Sequence, residues 1–396
     1  MKRKIIIKLI SLILPICLLL SGIDVFASVP IGGDTDTETD ADALELECKS
    51  AVLMEARTGR ILYAKNENEA LPPASVTKVM TMLLCMEEIA AGRLSLTDTV
   101  TASAYATSMG GSQIYLKEGE QMSVEDLLKS VVIASANDAA VALAEHICGS
   151  EEAFVARMNE RAHELKMENT VFENTNGLDD TTQNHKTSAL DIALMSRELT
   201  KHKKIFEYSS TWMDTIRNGE FGLTNTNRLI RFYKGATGLK TGSTSKAGFC
   251  ISATAERDGV ELIAVIMGAP SRDIRNNCAK TLLDYGFASC EIYEAPLFEH
   301  SPIPVTGGIM PTVSLYADSF FALVGKGEGK SVKSEVILPE SVSAPVKAGD
   351  KLGEIVYSLN GEELGRIGIY AADEVPKISF FEILRRMTSH FLLAPQ

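Results

Sequence analysis

The chain has 396 residues, of which 45% are hydrophobic and 23% charged, a makeup that excludes a disordered protein and leaves room for two domains with cores. With 39 basic against 52 acidic residues the net charge is −13, which argues against nucleic acid as a partner. The six histidines show no H-E-x-x-H or similar spacing and no Gly-rich phosphate loop occurs, so no metal or other cofactor is expected.

At the N-terminus Lys2, Arg3 and Lys4 precede an apolar run over residues 5–23 broken by Lys8, and Val25-Phe26-Ala27 suits cleavage before Ser28. Residues 1–27 are therefore predicted to be a signal peptide, with an uncleaved membrane anchor as the alternative. Removing them deletes four bases and one acid, taking the net charge from −13 to −16. Residues 28–47 read as a solvated acidic linker, because from Asp34 to Glu47 there are seven acids and no base. Six cysteines follow residue 27, widely spaced and without a C-x-x-C pair. They read as small buried hydrophobes, with one bridge left open.

Two strands are predicted over residues 51–55 and 60–64, joined by a turn at Arg57-Thr58-Gly59. After Pro72-Pro73, the positions Val76, Val79, Met80, Leu83 and Leu84 recur at helical spacing up to Gly92. This puts Ser75 in the first turn of a helix and Lys78 one turn on. Ser123 followed by Asp126 gives a capping-box start for a second helix, which yields near Ser135. Asp138 then offers an N-cap for a helix running to Gly149, so Ser135-Ala136-Asn137 falls in a tight connection between helices.

Residues 249–255 and 260–267 form a hairpin pattern around Arg257-Asp258-Gly259, so the preceding Lys240-Thr241-Gly242 belongs on a strand of an antiparallel sheet. These elements make up a predicted domain over residues 48–295. From Pro296 onward prolines, glycines and short alternating runs, with a turn at Asn360-Gly361, predict a small all-β domain over residues 296–376. In the last segment, 377–396, Ile378, Phe381, Leu384, Met387 and Phe391 share a helical stripe. It is too short and charged to span a bilayer, and reads as a helix lying in a membrane interface, with a core-packing terminal helix as the alternative.

The chemistry lies in three segments, Ser75-Val76-Thr77-Lys78, Ser135-Ala136-Asn137 and Lys240-Thr241-Gly242, separated by 60 and 105 residues. A serine hydroxyl is a weak nucleophile at neutral pH and needs a base, here a lysine whose ammonium is made acidic by burial or by another cation. At i and i+3 on a helix, Ser75 and Lys78 share a face, with the serine at the positive end of the dipole. Each segment alone has a bland reading: a helix turn, a cap, a strand-end lysine. In this order they resemble the acyl-transfer set of penicillin-recognising serine enzymes.

With Gly110-Gly111-Ser112, residues 154–159, Asn176-Gly177-Leu178 and Gly238-Leu239 added, residues 48–290 resemble the low-molecular-mass penicillin-binding proteins, the serine-type D-alanyl-D-alanine carboxypeptidases. The resemblance implies an α/β (α+β) transpeptidase-like fold, a helical cluster against a five-stranded antiparallel sheet, followed by an all-β C-terminal domain. It implies that Ser75 is the nucleophile, Lys78 its base and Ser135 a proton relay toward the leaving amine. Asn137 would hold a substrate amide and Lys240 would add positive potential. Thr241 and Arg275 would bind the terminal carboxylate, Arg272 being close by and an exposed structural arginine the alternative reading of Arg275, and the amides of Ser75 and Ser243 beside Gly242 would form the oxyanion hole.

His185 resembles a family segment and reads as structural. The implied partners are peptidoglycan stem peptides ending in D-Ala-D-Ala, β-lactams as covalent inhibitors, and the outer face of the cytoplasmic membrane. The competing functions are a β-lactamase, disfavoured because no E-x-x-L-N segment occurs, a DD-endopeptidase or transpeptidase using the same residues, and a noncatalytic envelope scaffold.

Overall fold

A computed structural model describes residues 44–180 and 182–393. The predicted signal peptide and most of the predicted linker lie outside the described residues.

The centre is a five-stranded antiparallel sheet. Its strands are β1 (Ser50–Glu55), β2 (Ile61–Lys65), β3 (Ala236–Thr244), β4 (Gly248–Arg257) and β5 (Val260–Ala269), in the spatial order β2-β1-β5-β4-β3. The β1–β2 turn is pinned by Glu55, whose carboxylate accepts from the amides of Arg57 and Thr58. The three central strands are buried on both faces, so they read as near-continuous apolar runs rather than alternating ones.

On one face Val52, Met54, Cys250, Val265 and Met267 pack against helices. These are α1 (Lys78–Ala90), α2 (Val124–Lys129), α3 (Asn137–Cys148), α4 (Glu151–Glu164) and α5 (Ala189–Thr200). On the other face Leu53, Ile251, Ala253, Leu262 and Ile266 are covered by α6 (Arg272–Ser289) through Ala279, Leu282 and Leu283. The helical cluster and antiparallel sheet expected from the sequence are thus present.

Three local expectations change. Ser75 does not sit in an α-helix but in a 3-10 turn, Ala74–Thr77, that leads into α1. The capping box at Ser123 is half made: its hydroxyl accepts from the Asp126 amide. Asp138 is not an N-cap. It lies inside the first turn of α3, after Ala136, and its buried carboxylate instead accepts from the amides of Ile114, Leu116 and Ala139. The competing demand was a buried loop with unpaired N–H groups, and a carboxylate meets several of these at once.

Beyond α6, Cys290–Glu294 pairs with Phe321–Gly325. A four-stranded sheet follows, built from Leu315–Ala317, Glu362–Ala371, Lys351–Leu359 and Lys333–Ile337. Its core centres on Phe320 and Tyr357, stacked with ring centroids 4.0 Å apart. The strand Cys290–Glu294 precedes the boundary expected at 296 although its partner lies beyond it. The last described helix is α7 (Phe380–Leu393), and among the described residues no helix is long and apolar enough to cross a membrane.

Candidate active site

The three segments converge where the turn before α1 meets the edge strand β3 and the α2–α3 connection. Lys78 is fully buried at the start of α1, and its Nζ lies 3.1 Å from Ser75 Oγ, 2.5 Å from Asn137 Oδ1 and 2.9 Å from the Asn176 carbonyl. Burial, then the charge of Lys240, hold its pKa well below that of a free lysine, with Asp138 opposing. A neutral amine has two N–H groups and one lone pair. The two carbonyl oxygens take the first, and the Ser75 hydroxyl can donate to the second, which is the arrangement a general base needs. Ser75 is half-buried and so remains reachable.

Backbone shape at the site is unusual in the same places. Ala74, before the nucleophile, has φ +49, and Ser135 has φ +64. Left-handed conformations at non-glycine residues cost about 1–2 kcal/mol each, so surrounding contacts must hold them. For Ala74 the contacts are visible. Its carbonyl accepts from Thr77 Oγ1 at 2.9 Å, and Gly177 (φ +83) sits so close that a Cβ there would come 1.8 Å from that oxygen. Thr77 Oγ1 in turn is 2.7 Å from His185 Nε2, while His185 Nδ1 accepts from the Glu173 amide. That second bond fixes the tautomer with the proton on Nε2. Burial pushes the ring's pKa down to about 4, so it stays neutral at physiological pH. His185 is therefore structural, as read from the sequence, and it braces the nucleophile turn from behind.

Lys240 on β3 is buried, and its Nζ donates to the Thr241 carbonyl. Burial and the Arg275 guanidinium push its pKa down to about 7. Gly242 explains the third residue of its segment: a Cβ there would lie 2.7 Å from the Ser75 amide nitrogen, so only glycine lets β3 approach the nucleophile turn this closely. Ser243 follows Gly242 on the same strand. Thr241 Oγ1 donates to Thr226 Oγ1.

Ser135 is buried in the α2–α3 connection, and its amide donates to the Ser130 carbonyl. Asn137 uses both ends of its amide, accepting from Lys78 and donating from Nδ2 to the Gly110 carbonyl at 2.7 Å. Arg275, at the start of α6, lies within electrostatic reach of Lys240, but its guanidinium donates to Asn276 Oδ1 and the Cys250 carbonyl. Burial and Arg272 lower its pKa to about 10.

The structure therefore brings Ser75, Lys78 and Asn137 into direct contact, with Gly242 against the Ser75 amide. Sequence reasoning missed the Asn176 carbonyl, the Gly110 carbonyl, Asp138 as a loop anchor and Thr226. Asn176-Gly177 and Gly110-Gly111 stood out as resembling segments, yet a carbonyl's role leaves no mark in residue type.

Comparison with known proteins identifies the family. The chain matches the D-alanyl-D-alanine carboxypeptidase family, peptidase S11, over residues 36–271, and the penicillin-binding protein 5 C-terminal domain over 298–377. It is 42% identical over 349 residues to the D-alanyl-D-alanine carboxypeptidase DacF of Bacillus subtilis, covering 86% of this chain and 89% of the relative. Among solved structures it resembles penicillin-binding protein 5 of Haemophilus influenzae (31% identity, TM-score 0.70), covering 84% of this chain and 99% of that one. It also resembles penicillin-binding protein D2 of Listeria monocytogenes in an ampicillin-bound form (30% identity, TM-score 0.57, 62% and 99% covered).

Proposed function

The chain belongs to the peptidase S11 family and is a serine-type D-alanyl-D-alanine carboxypeptidase; from that premise we propose how its own residues carry the reaction. Ser75 Oγ attacks the carbonyl between the two terminal D-alanines while Lys78 takes the hydroxyl proton. The developing oxyanion is held by the Ser75 and Ser243 amides. Ser135 passes a proton to the leaving amine, D-alanine departs, and water then hydrolyses the ester on Ser75. Asn137 keeps Lys78 placed and is to hold a substrate amide, and Lys240, Thr241 and Arg275 draw the terminal carboxylate. The observation that carries this reading is the buried, charge-depressed Lys78 amine 3.1 Å from the Ser75 hydroxyl.

Purified protein should release D-alanine from a D-Ala-D-Ala peptide over many turnovers while holding penicillin as a long-lived adduct. Rapid penicillin turnover without D-alanine release would reject the carboxypeptidase in favour of a β-lactamase.

Its substrate, peptidoglycan, places its work in the cell envelope. Export through residues 1–27, a spacer over 28–47 and docking on the membrane through residues 377–396 complete the proposal. For the last of these the support is α7, where Phe380, Phe381, Ile383, Leu384 and Met387 are exposed, with Phe381 at 80%. The helix is tied to the β-rich region by Arg386, which donates to the Ile309 carbonyl. An exposed apolar stripe of this kind fits a lipid interface better than a packed core. Deleting residues 377–396 should move the protein from the membrane to the soluble fraction. Unchanged partition would reject α7 as the anchor.

A further inference from the structure

Away from the catalytic cleft, on the opposite face of the sheet, two thiols meet. Cys48 lies two residues before β1 and packs against the core that holds Cys278, on α6 one turn past Arg275. The Cys48 thiol donates a hydrogen bond to the Cys278 sulfur, which also accepts from the Glu47 amide. The ammonium of Lys65 is close to both and anchors the same segment by donating to the Leu46 carbonyl at 2.6 Å.

These contacts favour a thiolate at Cys278: the bond from Cys48, ahead of burial, which opposes it, lowers its pKa to about 7. Elsewhere burial raises Cys85 to about 12 and both Cys250 and Cys290 to about 11, which leaves them as poor nucleophiles.

We propose that Cys48 and Cys278 are a disulfide site, closed when the exported chain meets a small or protein disulfide. The thiolate of the pair attacks one sulfur of the incoming disulfide and expels its other sulfur as a thiolate. The second cysteine, losing its proton to solvent, then attacks the mixed disulfide and expels the remaining thiolate. Two protein thiols are oxidised by two electrons and one external disulfide is reduced to two thiols. The bridge joins the lead-in to β1 to the helix that carries Arg275, and every residue assigned to the reaction lies inside the loop it closes. It constrains the unfolded chain over a long loop, where the gain is largest in principle.

The test uses the full chain, expressed for export, purified from the envelope with thiols alkylated at lysis, and compared with the same protein reduced and then treated with oxidised glutathione. Mass spectrometry is expected to find a peptide linking Cys48 to Cys278, two hydrogens lighter than its parts, and no alkylation at either residue. The oxidised chain is expected to melt about 5 °C or more above the reduced one. Cys48→Ser and Cys278→Ser should each remove both the linked peptide and the redox dependence of melting while keeping penicillin acylation. Full alkylation of both thiols after oxidation, glutathione retained on Cys48 alone, or a link between Cys85 and Cys148 in its place would overturn the proposal.

Discussion

Ser75→Ala is expected to abolish covalent labelling by a fluorescent penicillin and to stop D-alanine release, a loss of about 10⁴-fold or more in acylation, equal to about 5 kcal/mol of barrier. Among the described residues, the hydroxyl that hydrogen-bonds to Lys78 is that of Ser75. Lys78 contacts Ser75, Asn137 and Asn176, and the Thr77 hydroxyl, the nearest in sequence, is committed to the Ala74 carbonyl and His185. Nor should the fold suffer. Ser75 is half-buried, the substitution removes one oxygen, and the turn's shape is set by Gly177, Thr77 and His185 rather than by the Ser75 side chain. Thermal melting of the variant should match the parent within about 1 kcal/mol, in line with ordinary surface changes. If Ser75→Ala labels as the parent does, the nucleophile is another residue and the reaction scheme fails.

How much of this was legible beforehand depends on what kind of information each feature needs. The hairpin that follows Lys240-Thr241-Gly242 announces itself through Arg257-Asp258-Gly259 between two β-rich runs, and it appears as β4 and β5 beside β3. The α2–α3 connection was readable for the same reason, since two helical patterns cannot continue through each other.

Three helices, α4, α5 and α6, went unread, although Ser150, Ser188 and Ser271 each cap one by accepting from an amide three residues on. Charged and polar residues interrupt the apolar positions of α4 and α6, while in α5 Leu190, Ile192, Ala193, Leu194 and Met195 run nearly unbroken, and either pattern blurs a helical period. Asp138 misled for a different reason. As a residue type it suits a cap, but a cap is a local demand, and here a tertiary one prevailed: the amides of Ile114 and Leu116, far away in sequence, required an acceptor. The site's contacting carbonyls were illegible in principle, because every residue has one. Gly242 is intermediate. Its presence was plain, but its reason appears only when β3 is seen against the Ser75 amide.

Lys78→Met is expected to lower acylation by about 10²- to 10⁴-fold, the range for losing a general base, while keeping most of the buried volume. The pH dependence separates the base from a merely structural lysine, and its sign follows from the two amines. Both are buried, and each is more acidic than a free lysine, Lys240 falling to about 7. In the parent, acylation should rise with pH as Lys78 loses its proton, because only the neutral amine can accept one from Ser75. Above about 7 it should fall as Lys240 discharges and the pocket loses positive potential for the carboxylate. Protonated Lys240 repels a proton on Lys78. Lys240→Met removes that repulsion, so the pKa of Lys78 rises and the acid limb of the profile moves to higher pH. At the same time the alkaline limb disappears. Lys78→Met should instead flatten the acid limb entirely, leaving slow acylation that no longer climbs with the deprotonation of an amine. Measuring penicillin acylation rates across pH for the three proteins reads all of these at once. An acid limb in Lys240→Met that stays put or moves downward would mean that Lys78 is not the group titrating. The proton acceptor for Ser75 would then have to be sought elsewhere in the cleft.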